Sequence, residues 1–331
     1  MKKPSCAVCS TSFFNKTWSE LVTKIGEDRV YWHIYNYGSS RWQTEFNRVS
    51  ACFKTAYSTK QNHTDLLITN APQEAFWGAV FATLIGVKAK HVTCAFNFAE
   101  LPDGVKRRLM TWACTKISKF VVYSKLEKQV YSDYWHIPLE RIEVMRLSFS
   151  PPEAQPEEPM EVGDYICAIG GQARDYQMLM ATIEKLPEIP LILVVRPNNL
   201  KGLNIPSHVK VMVDIPPTQA MNILKYSRFM VLPLKDAQAR SGHITLLWAM
   251  YLSKASIVTN ASGVSDYAIH DYNAISCEPS VPDALAEAIR VLWNAPAKCQ
   301  QLGENGRKFA EEYCSEEAAQ QYLQDLFSEA C

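Results

Sequence analysis

The stretch Tyr165-Ile-Cys-Ala-Ile-Gly-Gly-Gln-Ala-Arg-Asp-Tyr176 decides the fold class of this chain. It begins with a short apolar run, passes through two glycines and leads into an amphipathic segment near residues 175–186. This order predicts a buried strand, a tight turn and a helix, which is the repeating unit of a parallel sheet. Apolar runs and amphipathic segments alternate in this way along the whole chain, so the sequence predicts an α/β fold.

One segment interrupts the alternation: Ser150-Pro-Pro-Glu-Ala-Gln-Pro-Glu-Glu-Pro-Met160. Its four prolines and its lack of hydrophobic period are typical of a linker. We therefore expect two Rossmann-like domains, residues 1–150 and residues 161–331, facing each other across a cleft that holds the ligand. Residues 316–331 form an amphipathic pattern, and we expect a docking helix there that can cross back to the N-terminal domain.

The composition excludes several classes of protein. Lys and Arg number 34, as do Asp and Glu, whereas a chain that binds nucleic acid through bulk charge would be strongly basic. Apolar residues make up 47% of the chain, which excludes a disordered protein. No run approaches the roughly 18 apolar residues of a membrane span. The ten cysteines are scattered and partly within apolar runs, which favours reduced thiols in a cytoplasmic protein.

The sequence contains no familiar metal or catalytic motif. Cys6 and Cys9 are the only close cysteine pair, and a zinc ribbon needs a second pair. The seven histidines have no ligand spacing, and a Ser-His-Asp elbow and a Walker loop are both missing. We expect neither a metal nor a cofactor.

The turn after the first strand of the second half is a candidate anion site. Gly170 and Gly171 let the backbone approach a ligand, and the helix that follows offers unpaired N–H groups. Arg174 adds a fork of donors for phosphate oxygens. The alternative interpretation is an ordinary strand-to-helix turn with Arg174 in solvent.

A second candidate anion site lies in residues 232–250, where a strand, a loop and a helix start follow one another. Alternatively, Ser241 is a plain N-cap and His243 a surface residue. Further along, Asp266 stands near another expected helix start, where it either caps the helix or holds ligand hydroxyls. The candidate ligand-binding residues of the 232–250 segment are Lys235, Arg240, Ser241, Gly242, His243 and Thr245.

Taken in order, these three segments resemble the C-terminal domain of GT-B glycosyltransferases, specifically glycosyltransferase family four, over about residues 164–312. The resemblance is carried by Trp248-Ala-Met-Tyr-Leu-Ser-Lys-Ala-Ser-Ile-Val-Thr-Asn-Ala-Ser-Gly-Val-Ser-Asp-Tyr267, by Asp271-Tyr-Asn-Ala-Ile and by Pro282-Asp-Ala-Leu-Ala-Glu-Ala-Ile. It implies that the glycine-ended strand and its basic residue contact the diphosphate of a nucleotide sugar. It also implies transfer with retention of configuration and no metal.

The sequence departs from this family at two positions. The family carries two glutamates eight residues apart, and Arg240 and Trp248 stand in their places here. We expect Trp248 to be a structural residue, with a platform for the ribose or base as the alternative.

The resemblance implies a hexosyl- or related glycosyltransferase that moves a sugar to a saccharide, lipid-linked or other acceptor. The departures leave two alternatives open: a non-catalytic relative that acts as a binding or scaffold protein, and a nucleotide-sugar epimerase. Acceptor contacts would come from loops after the N-terminal strands. The acceptor-side candidates are Asn70, Glu74, Asn97 and Glu100.

Residues 104–128 are basic although the chain as a whole is neutral. Leu109 and Trp112 lie on the adjoining face of the predicted helix. We expect peripheral contact with an anionic membrane, at the inner face of the cytoplasmic membrane. The alternative is a solvated helix whose apolar side packs on the sheet. The cations proposed for this contact are Lys106, Arg107, Arg108, Lys116 and Lys119.

Overall fold

The computed structural model describes residues 5–11, 29–98, 100–148, 150, 153–237, 239 and 241–329. The chain divides into two compact units. Unit 1 comprises Met1–Arg146 together with Glu316–Cys331, and unit 2 comprises Leu147–Ser315. Both units are parallel-sheet α/β structures, as the alternation of apolar and amphipathic segments predicts.

Unit 1 contains a six-stranded sheet in the order β2-β1-β3-β4-β5-β6, and all described pairings are parallel. Its elements up to residue 146 are β1 (Cys6–Thr11), β2 (Val30–Tyr35), α1 (Arg41–Gln61), β3 (Leu66–Asn70), α2 (Pro72–Ile85), β4 (Lys90–Cys94), α3 (Gly104–Cys114), β5 (Lys119–Val122), α4 (Lys125–Trp135) and β6 (Ile142–Val144). The helix predicted near residues 17–25 lies outside the described residues.

Unit 2 contains a second six-stranded parallel sheet, in the order β12-β11-β10-β7-β8-β9. Its elements are β7 (Ile166–Ile169), α5 (Tyr176–Ile183), β8 (Leu191–Val195), β9 (Val209–Val213), α6 (Pro217–Tyr226), β10 (Met230–Leu232), α7 (His243–Tyr251), β11 (Ser256–Thr259), β12 (Ile275–Cys277), α8 (Pro282–Trp293) and α9 (Pro296–Tyr313). Successive side chains of β7 enter two different hydrophobic clusters, because a strand points alternate residues to opposite faces of its sheet.

The topology of unit 2 sets the place of its site. Strand β7 pairs with β8 on one side and β10 on the other, so the connection from β9 returns across the sheet to β10. Ligands of doubly wound sheets bind at such a switch point, beyond the carboxyl ends of the strands. The loops that follow β7 and β10 are the first and second candidate anion sites of the sequence.

The final helix, α10 (Glu316–Glu329), belongs to unit 1 although the chain reaches it from unit 2. The Tyr322 hydroxyl donates a hydrogen bond to the carboxylate of Glu143 in β6. The same carboxylate lies 2.5 Å from the Lys119 ammonium. These contacts hold the expected docking helix against the sheet of unit 1.

The proline-rich segment predicted as a linker packs on α6 of unit 2. The buried side-chain amide of Asn222 donates to the backbone carbonyls of Pro156 and Glu158, at 2.5 and 2.9 Å. Its oxygen accepts from the Met160 N–H at 3.0 Å. A single asparagine thus satisfies backbone groups that the proline-rich sequence cannot pair for itself. No local sequence pattern predicts this role of Asn222.

In the part of the chain that the structure describes, no helix could cross a bilayer.

Candidate functional site

Two backbone bridges join the loops that follow β7 and β10. The Lys235 N–H donates to the Ala173 carbonyl at 3.1 Å, and the Asp175 N–H donates to the Pro233 carbonyl at 2.8 Å. These bonds hold the first two candidate segments side by side at the switch point.

The Arg174 side chain turns inward and is only 6% exposed, so the alternative of a solvated arginine is wrong. Its Nη1 donates to the Gln172 carbonyl at 2.8 Å, and its Nη2 donates to Thr245 Oγ1 at 3.2 Å. Its Nε is buried without a hydrogen-bond partner. Among the described residues, no carboxylate forms an ion pair with it.

A buried guanidinium without a counter-charge is unfavourable, and burial accordingly lowers the pKa of Arg174. An anionic ligand would supply the missing charge and accept from the free donor. Gly170 makes room for this arrangement, because its φ is +115° and an added Cβ would lie 2.8 Å from Arg174 Nη2. The positive φ favours glycine at position 170, and a larger residue there would also push the Arg174 guanidinium out of its present position.

The first turn of α7 completes this cluster. Gly242 is the N-cap residue, with φ +110° and no side-chain capping bond, so Ser241 is not the plain N-cap of the alternative interpretation. The Ser241 hydroxyl instead donates to the Gln172 carbonyl at 3.1 Å, across to the other loop. The N–H groups of the first turn have no acceptor within their own helix, and with the helix dipole they favour an anion.

His243 is buried rather than a surface residue. Its Nε2 lies 2.7 Å from the Gly263 carbonyl, which can only accept, so Nε2 carries the proton. Burial lowers the pKa of His243, and the hydrogen bond to Gly263 opposes that shift only in part. The imidazole is therefore neutral near pH 7 and holds the start of α7 against the loop that follows β11.

The remaining unit 2 candidates differ in how firmly they are placed. The Gly171 carbonyl accepts from Asn199 Nδ2 at 2.7 Å. Lys235 is exposed at the rim, and Asp266 is half-buried in a run of turns over residues 262–267 where the sequence predicts a helix start. Arg240 lies outside the described residues.

Trp248 is half-buried and packs against the hydrophobic cluster beneath α7. It follows Thr245 by three residues, which places both on one side of the helix. Its indole Nε1 is buried without a hydrogen-bond partner. The packing against this cluster fits the structural role expected for Trp248, whereas the unpartnered indole N–H fits the alternative of a platform for the nucleotide.

We expect Trp248→Phe to lower the free energy of unfolding by about 1 kcal/mol, because the smaller ring leaves the cluster underfilled. Affinity for a nucleotide diphosphate should stay unchanged. Thermal melts with and without nucleotide separate the two roles. Unaltered stability together with weakened binding would make Trp248 a platform for the nucleotide.

Three of the four acceptor-side candidates in unit 1 bond to other protein groups. Asn70 Nδ2 donates to Ser10 Oγ at 3.0 Å, and Asn97 donates to the buried Glu127 carboxylate. Glu74 accepts from the Tyr35 hydroxyl and is only 2% exposed. Burial raises its pKa, and its second oxygen has no partner. The local sequence gives no sign of these buried partners.

The fourth candidate, Glu100, lines a cavity of about 730 Å³ in unit 1 that the sequence analysis missed. Its walls come from the first two turns of α1, α2 and α3 and from the loop after β4, at the carboxyl edge of the sheet. Aromatic rings and charged groups share this lining. The residues are Arg41, Thr44, Glu45, Arg48, Pro72, Gln73, Phe76, Trp77, Phe98, Glu100, Pro102, Lys106, Leu109 and Met110.

The charges of the cavity fall into two groups. Arg48 Nε donates to the Tyr35 hydroxyl at 3.0 Å, and Nη1 pairs with Glu45. Trp77 Nε1 donates to the same Glu45 at 3.1 Å, and Arg48 Nε lies 3.5 Å from Glu74 Oε1, so the Arg48 charge is paired within the protein. Arg41 and Lys106 form no ion pair with any described residue, which leaves them available to a ligand.

Within the described ranges, no cluster of three or more His, Cys, Asp or Glu side chains could hold a metal ion.

Residues 197–309, about a third of the chain, match the family model described as "Glycosyl transferases group 1". No curated protein matches the sequence. Solved structures match across both units, and at 12–15% identity they establish the fold alone.

A glycosyltransferase from Rickettsia africae ESF-5 is 15% identical with a TM-score of 0.71, and the match covers 98% of each chain. Sucrose-phosphate synthase from Thermosynechococcus elongatus is 14% identical with a TM-score of 0.72, again over 98% of each chain. Anabaena HepE in complex with UDP is 12% identical with a TM-score of 0.72, over 98% of this chain and 100% of that one. HepE has also been solved with UDP-glucose.

Proposed function

The chain has the GT-B glycosyltransferase fold and carries a group 1 glycosyl transferase segment at residues 197–309, and from this premise we propose that it transfers a sugar from a nucleotide diphosphate sugar to an acceptor. Unit 2 binds the donor in this proposal, and unit 1 binds the acceptor. The complexes of HepE with UDP and UDP-glucose support a uridine nucleotide as the first donor to test.

The observation that carries the proposal is the buried, uncompensated guanidinium of Arg174 at the switch point of unit 2. Breaking the bond between sugar and diphosphate leaves negative charge on the departing diphosphate. Arg174 and the first turn of α7 are already in place to stabilise that charge, with Lys235 at the rim. Because they are fixed before the ligand arrives, little reorganisation is needed during the reaction.

The acceptor would occupy the unit 1 cavity. Its aromatic walls suit the apolar faces of sugar rings, and its polar residues suit hydroxyl groups. Of the four acceptor-side candidates, only Glu100 lines the cavity, while Asn70, Glu74 and Asn97 maintain its surroundings. Retention of configuration and independence from metal are part of the proposal and rest on the resemblance to family four.

A donor panel tests the proposal. The full chain is incubated with UDP, GDP and ADP sugars, with and without mixed saccharide acceptors, and mass spectrometry detects nucleotide release and new glycosides. We expect at least one donor to yield nucleotide and a heavier acceptor. Nucleotide binding without turnover of any donor would instead support a non-catalytic binding protein. That second function is favoured by Trp248, which stands where the family has a glutamate.

The basic helix α3 supports peripheral membrane contact. Lys106, Arg107 and Arg108 are exposed on it, and the Lys116 ammonium lies 6.0 Å from the centroid of the Trp112 ring. Lys119 is paired with Glu143 and contributes less than the sequence suggests. Arg107 lies over the Tyr134 ring, 4.0 Å from its centroid, and donates to the Tyr134 carbonyl at 3.1 Å, so its side chain is held in place although its charge is not paired. Four cations without a described ion pair remain, each worth about 1 kcal/mol near an anionic bilayer.

Arg107→Glu/Arg108→Glu should therefore abolish the salt-sensitive part of binding to anionic vesicles. Sedimentation with vesicles of rising anionic content, at low and at physiological salt, measures this loss. Arg290→Glu, on an exposed helix face of unit 2, is the matched control for a charge change. Equal pelleting of the double variant and the native chain would show that the α3 cations face solvent and do not contribute to membrane binding.

A further inference from the structure

Helix α1 carries an exposed row of aromatic side chains, which we call the α1 aromatic stripe: Trp42, Phe46, Phe53 and Tyr57. At 100° per residue, their positions fall within an arc of about 60° and extend about 22 Å along the helix. Their exposed fractions are 87%, 73%, 47% and 53%. Soluble proteins rarely leave large apolar groups together in water without an interaction to serve.

The stripe is a formed surface. The ring of Phe53 packs edge-on against Phe81 of α2, with 5.5 Å between centroids, and stacks on Tyr57 at 6.3 Å. Residues Ala51, Cys52, Thr55 and Ala56 on the other side of α1 are buried against the sheet. Since α1 is anchored by its buried face, the stripe is displayed on a fixed support.

Charges on α1 indicate what the stripe contacts. Its only carboxylate, Glu45, is engaged by Arg48 and by Trp77. Arg41 and Lys54 are exposed and form no ion pair within the described part of the chain. A second copy of the chain would bring the same unpaired cations together, whereas an anionic surface complements them.

We propose that the α1 aromatic stripe inserts into the interfacial region of an anionic bilayer, with Arg41 and Lys54 at the level of the headgroups. Tryptophan, tyrosine and phenylalanine on a rigid face beside cations are the chemistry that this region accepts. The proposal concerns a surface of α1 outside the basic stretch of α3, and it does not require that the chain transfers a sugar.

The contact also reaches the unit 1 cavity. Arg41, Thr44, Glu45 and Arg48 form the α1 wall of that cavity. Leu109 of α3, itself 48% exposed, lies in another wall. Insertion of the stripe therefore sets the cavity beside the lipid headgroups, where a ligand held in the membrane can enter it.

The test is vesicle co-sedimentation of the full chain without donor or acceptor. Vesicles of phosphatidylcholine are compared with vesicles that also contain phosphatidylglycerol. We expect Trp42→Ser/Phe46→Ser to lower the partition coefficient on anionic vesicles at least about tenfold. The binding that survives high salt should be lost in this variant, whereas Arg107→Glu/Arg108→Glu should lose only the salt-sensitive part.

Controls separate insertion from other losses. Val162→Ser/Val291→Ser removes two exposed apolar side chains of unit 2 and should leave binding unchanged. Melting temperatures should match the native chain, because Trp42 and Phe46 are mostly exposed. In the native chain, lipids brominated near the headgroup should quench tryptophan fluorescence, and Trp42→Phe should reduce that quenching while leaving the chain bound.

Equal partitioning of the native chain and Trp42→Ser/Phe46→Ser would overturn the proposal, as would a native chain that stays in the supernatant. Self-association in analytical ultracentrifugation that disappears in the double variant would assign the stripe to a second copy of the chain. None of these outcomes bears on sugar transfer, which the donor panel measures without vesicles.

Discussion

Arg174→Ala is expected to weaken the binding of a nucleotide diphosphate at least about tenfold and to lower turnover about a hundredfold or more. Hydrogen bonds to charged groups contribute about 1.5–3 kcal/mol, and 1.4 kcal/mol is a factor of ten in affinity. The larger effect on turnover follows because charge on the diphosphate increases as the sugar departs. Calorimetry with UDP and rate measurements with the active donor give the two numbers.

Stability should change in the opposite direction from binding. Arg174 is buried without a counter-charge in the free protein, so its removal relieves an unfavourable desolvation. Arg174→Met, which keeps most of the volume, should melt at or above the temperature of the native chain without nucleotide, and nucleotide should stabilise it less. Arg174→Lys retains a charge but not the planar fork and should recover binding only in part.

Arg290→Ala is the matched control, because Arg290 is an exposed cation of the same unit paired only with Glu287. It should bind nucleotide as the native chain does. Unchanged affinity for the nucleotide in a folded Arg174→Ala variant would show that Arg174 does not contact it. The burial of Arg174 would then have no functional explanation.

Much of the fold follows from the sequence because hydrophobic periodicity and turn residues determine strands, turns and helices locally. The apolar run Ile166–Ile169, the glycines after it and the amphipathic segment from Tyr176 predict a strand, a turn and a helix, and the structure has all three. The family-four resemblance then implies the GT-B fold, which the similar structures share.

The parts that were missed depend on partners far away in the sequence. The burial of Arg174 follows from Thr245, which is 71 residues away, and the packing of residues 156–160 depends on Asn222. The unit 1 cavity is formed by the starts of three helices that are each unremarkable in sequence. The α1 aromatic stripe has helical spacing, which from sequence alone indicates a buried face as readily as an exposed one.

Gly303→Ala is expected to lower the free energy of unfolding of unit 2 by about 3 kcal/mol, against the usual gain of about 1 kcal/mol for alanine over glycine in a helix. Gly303 lies in α9, where an added Cβ would be 2.0 Å from the Ser253 carbonyl oxygen and 2.6 Å from its carbon. Both atoms are backbone, so no rotamer can relieve the clash.

The matched control is three residues further along the same helix. A Cβ at Gly306 would meet Met250 Cγ at 3.2 Å, and that flexible side chain can move. Gly306→Ala should therefore be close to neutral, while Gly303→Ala should melt at least about 6 °C lower. Equal melting temperatures for the two variants would show that α9 can shift along α7 without loss.

The position of Gly303 also ties the stability of α9 to the anion site. Ser253 follows the end of α7, the helix whose first turn carries Gly242 and Thr245. Tyr251, at the last turn of α7, donates to the Cys314 carbonyl just beyond α9 at 2.8 Å, so the two helices are joined at that end.

A methyl group at position 303 would push against this end of α7 and displace the hydrogen-bond donors at its other end. Gly303→Ala should therefore weaken nucleotide binding by more than its loss of stability alone predicts at temperatures where the variant is folded, and calorimetry well below its melting temperature isolates that effect. Native affinity in the folded variant would show that the start of α7 is held by Arg174 and Ser241 independently of its far end.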